Sequence, residues 1–273
     1  IGLAVSYNTV ISDYFYTKGW YDWKEKNIDP NRLVQARDNF EKSVSYRPYY
    51  FGAHQMLGLT LYDMRLWGQA VKAFKHSLQC HPNNRMVYKL RGEALMQLGR
   101  YQEAIISLQN ALQLEPGFAD AYFHLGYCFR QLGRHEEAIE AHSEAVRLEP
   151  GKMEYLNSLG VDRIEMGDYK GAIEDLNRAA KANPRHVSVL LNLGNANFLL
   201  GNSEEALNFY DRVIDLDPEK YIVYALAGYV YHEQLKDFKK AREFFEKARS
   251  IAPDDPRIVR LLNNLDKEAN ASE

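Results

Sequence analysis

The stretch LGRHEEAIEAHSEAVRLEPG, Leu132 to Gly151, sets His135 and His142 among five glutamates. Imidazoles and carboxylates build metal sites and perform general acid–base chemistry, so spacing decides whether these can act together. On a helix, residues seven apart share a face but lie two turns, roughly 10 Å, from each other. Both rings cannot reach one ion, unlike the i, i+4 pair of a zinc helix. Elsewhere the chain has no Gly-rich phosphate loop, no GxSxG, no HExxH and no paired CxxC. We therefore expect no catalytic residue, no metal, no cofactor and no enzyme activity.

The elements that carry the two histidines account for them better. Prolines fall at Pro48, Pro82, Pro116, Pro150, Pro184, Pro218 and Pro253, spaced by 34 residues five times and then by 35. Twelve positions before each stands an alanine: Ala36, Ala70, Ala104, Ala138, Ala172, Ala206 and Ala241. Twenty-four before the middle five stand Gly58, Gly92, Gly126, Gly160 and Gly194. Gly228 joins the series if one residue is inserted near EQLKDFKKA, and Gly19 joins it if the loop KNIDPNR is five longer. Such a period marks a repeat architecture.

Each of the seven units reads as two helices. The glycine and alanine sit where paired helices approach closely, and the proline closes helix two or opens the next. Gly99, Gly133, Gly167 and Gly201 suit a left-handed residue after a helix end. Starts such as HEEA and SEEA place carboxylates at the positive end of a helix. His142 takes the position held elsewhere by Phe74, Leu108, Leu176 or Phe245, which makes it a packing residue. A first helix should run from about Leu3 to Glu25, and strand content should be nil.

The unit VLLNLGNANFLLGNSEEALNFYDRVIDLDP, Val189 to Pro218, resembles the tetratricopeptide repeat (TPR), and the resemblance recurs seven times over residues 13–253. It implies an all-α fold: a right-handed TPR solenoid of seven helix-turn-helix repeats, whose first helices line a concave groove that binds peptides or partner proteins. Residues 1–12 would lead into the first helix, 254–269 would form a C-terminal capping helix, and 270–273 a frayed tail. The cap has Asp255 as N-cap, Pro256 at the first helical position, and Ile258, Val259, Leu261, Leu262 and Leu265 as an apolar stripe. The first unit departs from the pattern, with Asn31 where later turns have Gly.

Counting from each unit glycine, the family's groove-facing positions lie three before, one after and four after it. They are Tyr16, Trp20 and Trp23; Gln55, Leu59 and Tyr62; Lys89, Glu93 and Met96; Phe123, Tyr127 and Arg130; Asn157, Val161 and Ile164; Leu191, Asn195 and Phe198; Ala225, Tyr229 and His232. The expected partner-binding set is Tyr16, Trp20, Trp23, Tyr62, Phe123, Tyr127, Arg130, Asn157, Asn195, Phe198 and Tyr229. Rings with a few polar groups suit a peptide or amphipathic helix. Asn192 and Asn195 are similar to the asparagine-lined repeats of the O-linked N-acetylglucosamine transferases, but the ladder fails at Met56, Leu90, His124, Ser158 and Leu226.

A net charge of −3 argues against nucleic acid as a general partner, although the first hundred residues carry 14 Lys+Arg against 8 Asp+Glu. Two cysteines, Cys80 and Cys128, exclude a disulfide network and leave cytoplasmic and periplasmic placement both open. They stand in units too far apart for unstrained bridging. The opening IGLAVSYNTVI has Leu3, Tyr7, Val10, Ile11 and Tyr14 at helical spacing, read here as the apolar face of a soluble helix in preference to the end of a membrane span. The lead AVSYNTVISDYFYTKGWYDWKEKN loosely resembles the segment before the C-terminal repeats of bacterial O-antigen polymerase or ligase proteins. That resemblance implies a tether to a membrane protein through a missing N-terminal part. The alternative to a free scaffold is therefore the soluble TPR domain of a membrane-bound glycan polymerase or ligase, or of a glycosyltransferase.

Overall fold

The computed structural model describes residues 2–27, 29 and 31–271, and side chains over 7–27, 29 and 31–268. Leu3, as a side chain, and Ser272 and Glu273 lie outside the described residues. Among the described residues there is no strand. The chain divides after Leu148 into two compact blocks.

The N-terminal block holds α1 (Gly2–Lys24), α2 (Asn31–Tyr46), α3 (Phe51–Asp63), α4 (Trp67–Cys80), α5 (Arg85–Gln97), α6 (Tyr101–Leu114), α7 (Ala119–Gln131) and α8 (His135–Leu148). The C-terminal block holds α9 (Met153–Glu165), α10 (Tyr169–Ala182), α11 (Val187–Leu200), α12 (Ser203–Leu216), α13 (Tyr221–Tyr229), α14 (Phe238–Ile251) and α15 (Pro256–Ala271). Within each block, helices pair with the next in sequence as stacked hairpins. The terminal helix α15 continues through Ala271 and so takes in the first two residues of the expected tail.

The repeated residues explain the hairpins. A methyl group added at Gly58 would stand 2.5 Å from the Phe74 ring, at Gly126 2.7 Å from the His142 ring, at Gly160 2.6 Å from Leu176, and at Gly228 2.5 Å from the Phe245 ring. Helix two thus presses one bulky side chain onto the bare backbone of helix one in every hairpin. All seven repeat alanines are fully buried. Gly99, Gly133, Gly167 and Gly201 have positive φ, and so do Arg65 and Lys236 at the corresponding turns. Arg100 N–H reaches back to Leu95 O at 2.9 Å, and Arg134 N–H to Phe129 O at 3.0 Å, closing the helix ends.

The first hairpin holds its longer loop differently. Ser12 and Ser43, both buried, donate to each other's backbone carbonyls at 3.0 and 2.9 Å, which brings α1 and α2 close. Buried Asp22 accepts from Arg32 at 2.8 Å and from Asn39 at 2.9 Å. The apolar stripe expected on α1 is not a buried face, however. Tyr7, Val10 and Tyr14 each keep at least 60% of their surface exposed, because among the described residues α1 packs mainly against α2 and touches α3 only slightly.

The extra residue of the seventh repeat does not lengthen a loop. It is absorbed as one π-helical turn, Val230–Gln234, at the end of α13. The Gln234 amide fixes it by donating to Phe198 O and accepting from Ser203 at 2.6 Å. The terminal helix starts as expected: Asp255 accepts from Arg257 N–H at 2.9 Å, and Ile258, Leu262 and Leu265 are buried. Val259 is a correction to the stripe, since it faces solvent beside the seam.

Candidate functional site

In the N-terminal block, the counted positions sit half-exposed on the first helix of each hairpin, beside neighbours that are fully buried. In α7, Phe123, Tyr127 and Arg130 are half-buried, while Leu125, Gly126, Cys128 and Phe129 fill the core. The Arg130 guanidinium stands 5.6 Å from the Tyr127 ring centre, and Tyr101 meets that ring edge-on at 6.3 Å. Phe123 packs 5.6 Å from His142, and the His142 ring nitrogen lies 3.1 Å from Phe123 O. His142 is therefore locked inside its hairpin.

Tyr16 packs between Phe40 and Tyr50, at 5.9 and 5.0 Å. Burial pushes its phenol up, and that of Tyr62 likewise, so both remain protonated donors. Trp23 donates to Asp63 at 2.8 Å, and Lys26, paired to the same carboxylate, lies over its ring. Trp20 is the more open indole, with Lys24 5.1 Å from its ring centre. Tyr62 meets Trp67 edge-on at 4.7 Å.

The counting also placed Lys89 and Glu93 on this face, and the structure joins them to a third residue. Glu93 lies 3.0 Å from Lys89 and 2.8 Å from His124. Burial alone would raise its carboxyl, but the bonds and charges of His124 and Lys89 hold it below the usual range. His124 belongs to the next repeat, so no signal within one unit could have found this cluster.

In the C-terminal block, Asn157 accepts from Asn192 at 3.0 Å, which ties α9 to α11. Asn195 accepts from the Tyr210 hydroxyl at 2.9 Å. Phe198 is half-buried and supplies the carbonyl that holds the π turn. Tyr229 is 37% exposed and meets Phe245 edge-on at 5.9 Å. Beside it, between α13 and α15, opens a cavity of about 290 Å³. A smaller one of about 140 Å³ adjoins it and shares Tyr229, Leu261 and Asn264. Cys80 and Cys128 are free thiols, and burial pushes that of Cys128 up to about 12.

Family models for the tetratricopeptide repeat match residues 92–129, 119–152, 157–221 and 201–265. The chain is built of tetratricopeptide repeats. Solved TPR folds agree. YrrB, described as a TPR protein with an unusual peptide-binding site, has a TM-score of 0.62 at 23% identity, over 72% of this chain and 99% of that one. A tetratricopeptide repeat protein from Parabacteroides merdae has a TM-score of 0.66 at 17% identity, over 93% of this chain and 98% of that one. In the APC/C hetero-tetramer Cut9-Hcn1, 54% of the matched chain aligns with 94% of this one, at a TM-score of 0.65 and 19% identity. No curated protein matches the chain.

TPR proteins generally mediate protein–protein interactions and are typically non-enzymatic scaffolds. Nothing in these comparisons supports the resemblance of the leading segment to O-antigen polymerase or ligase proteins, or a membrane tether. No helix among the described residues is long and apolar enough to cross a membrane. The TPR counting rule located Ala225 and Tyr229, but not the cavity they border. Its other wall is α15, which lies outside the seven counted units.

Proposed function

We propose that this TPR chain is a protein-binding scaffold that receives a peptide or amphipathic helix against the exposed faces of its first helices. The observation that carries this reading is the division of labour within α7. Leu125, Cys128 and Phe129 are consumed by the core, whereas Phe123, Tyr127 and Arg130 remain half-exposed on one face. Rings and a guanidinium kept at a surface combine apolar area with directed hydrogen bonding, the composition of binding hot spots. The Asn157–Asn192 pair supports the same reading in the C-terminal block, since each amide retains groups able to meet a peptide backbone. The peptide-binding site of YrrB, a TPR protein of similar fold, agrees with it.

The test is capture of a native partner by the whole chain and by variants of unchanged helicity. Phe123→Ala and Tyr127→Ala should each weaken capture, with the larger loss at about 2 kcal/mol or more. Glu136→Ala, exposed on α8, should leave it unchanged. Capture that ignores every residue of the set would refute recognition by these faces.

A further inference from the structure

The cavity between α13 and α15 is lined in part by one small side chain. At the position three before the repeat glycine the chain carries Tyr16, Gln55, Lys89, Phe123, Asn157 and Leu191, and in the last repeat only Ala225. The missing volume leaves an apolar cleft floored by Ala225, Leu226, Ile258 and Leu261, with Tyr229 at its side.

The rim of this cleft is charged in order. Arg257, Arg260, Asn264 and Glu268 follow at helical spacing along one line of α15. Arg257 is engaged by Asp255 at 2.7 Å and by the Tyr221 hydroxyl at 2.8 Å. Arg260 is exposed and makes no hydrogen bond or ion pair among the described residues, and the same holds for the Asn264 amide. At the far end His232 lies between Glu233, at 2.8 Å, and Glu268, at 2.7 Å. The cleft is thus cationic where α15 begins and polar in the middle, and the smaller cavity that adjoins it is acidic near the π turn.

We infer that this cleft is the anchor site for an amphipathic segment of a partner protein, which inserts a bulky apolar side chain between α13 and α15 and sets an acidic residue against Arg260. The inference rests on the proposed scaffold reading and names the partner's chemistry. Charge complementarity selects the occupant: an uncommitted guanidinium beside an apolar floor matches a carboxylate adjacent to a Leu or Phe. A purely basic segment would meet the uncommitted Arg260 and be repelled.

The probes are short fluorescein-labelled peptides read by anisotropy against the full chain: acidic residues flanking a Leu or Phe, the same peptide with Lys in place of the acids, and an acidic peptide with no apolar residue. Only the first should bind. Arg260→Glu, at a side chain with no partner to lose, should weaken it about tenfold and shift preference toward the lysine peptide. Ala225→Phe, which supplies the ring of Phe123 at the equivalent position, should fill the cleft and abolish binding. If that variant misfolds, Arg260→Glu alone still decides.

Equal binding by the acidic peptide without an apolar residue, or binding indifferent to Arg260→Glu, overturns the inference, as does no binding at all. Sensitivity confined to Phe123→Ala and Tyr127→Ala would overturn it while leaving the scaffold reading in place. Self-association of the chain that Arg260→Glu abolishes, seen by sedimentation velocity, would make a second copy the occupant and also overturn it.

Discussion

Gly58→Ala isolates the contact on which each hairpin rests. The added methyl would sit 2.5 Å from Cε1 and 2.6 Å from Cδ1 of Phe74, against an ordinary carbon contact of roughly 3.5 to 4.0 Å. Phe74 is fully buried, so displacing its ring disturbs the packed side chains around it. Overpacking of this kind costs about 1 to 3 kcal/mol, while exchanging Gly for Ala inside a helix returns about 0.8 to 1.0 kcal/mol. The net loss should be between about 0 and 2 kcal/mol, toward the upper end for so close a contact. Gly92→Ala is the internal control, because its methyl would meet Leu108 at 3.0 Å, where a small shift suffices. There the helix gain should offset the contact, and stability should change little.

Repeat arrays need not unfold as one unit, so the readout is hydrogen exchange resolved over α3 and α4 together with urea denaturation. A cycle with Phe74→Ala adds a sign test: removing the ring removes the clash, so the double variant should lose less than the sum of the single losses. Additive losses, or Gly92→Ala proving worse than Gly58→Ala, would refute the account of the glycine as a clearance for the ring.

Other outcomes follow from single residues. Arg65→Gly and Lys236→Gly relieve φ values of 59° and 54° in non-glycine residues and should each stabilise by about 0.5 to 1 kcal/mol, read as a raised Tm. His142→Leu should cost less than about 1.5 kcal/mol by urea titration, since Leu108 and Leu176 fill the same place against Gly92 and Gly160. Burial lowers the pKa of His54, with its contact to Pro48 O opposing the shift and His76 adding to it. The unfolded state therefore binds more protons just below about pH 6.5, and stability should fall there as pH drops, then level off below the folded pKa. His54→Gln should flatten that limb of a pH series of denaturation midpoints.

The legible part of this fold is the part imposed by sterics that recur. Glycine under a ring, alanine at a crossing and proline after a helix are demands of every hairpin, so they repeat in the letters and gave helix starts at Tyr101, His135, Tyr169 and Ser203. Unrepeated features stayed hidden. A single inserted residue could lengthen a loop or form a π turn, and the choice rests on the bonds of Gln234 to Ser203 and Phe198, residues of the preceding repeat. The exposure of Tyr7, Val10 and Tyr14 could not be read from a spacing that suits a buried face equally well. Glu93 met its partner His124 only across repeats.

The candidate surface obeys the opposite logic. Because the seam is satisfied by Gly126 and His142, or by Gly160 and Leu176, the residues one step round the same helix are under no packing demand to agree between repeats. They read Lys89 and Glu93 in one unit, Phe123 and Tyr127 in the next, and Asn157 and Val161 after that. Variation there costs the hairpin little, which lets a chain of near-identical elements carry a non-repeating surface. Ala225 is the extreme case. It is itself buried at the edge of the core, and its small size leaves a cleft beside Arg260 and Asn264. A substitution that deepens the seam should therefore change stability without changing ligand preference, and one on the free face should do the reverse. Chimeras that exchange only Phe123, Tyr127 and Arg130 for Asn157, Val161 and Ile164 would separate the two.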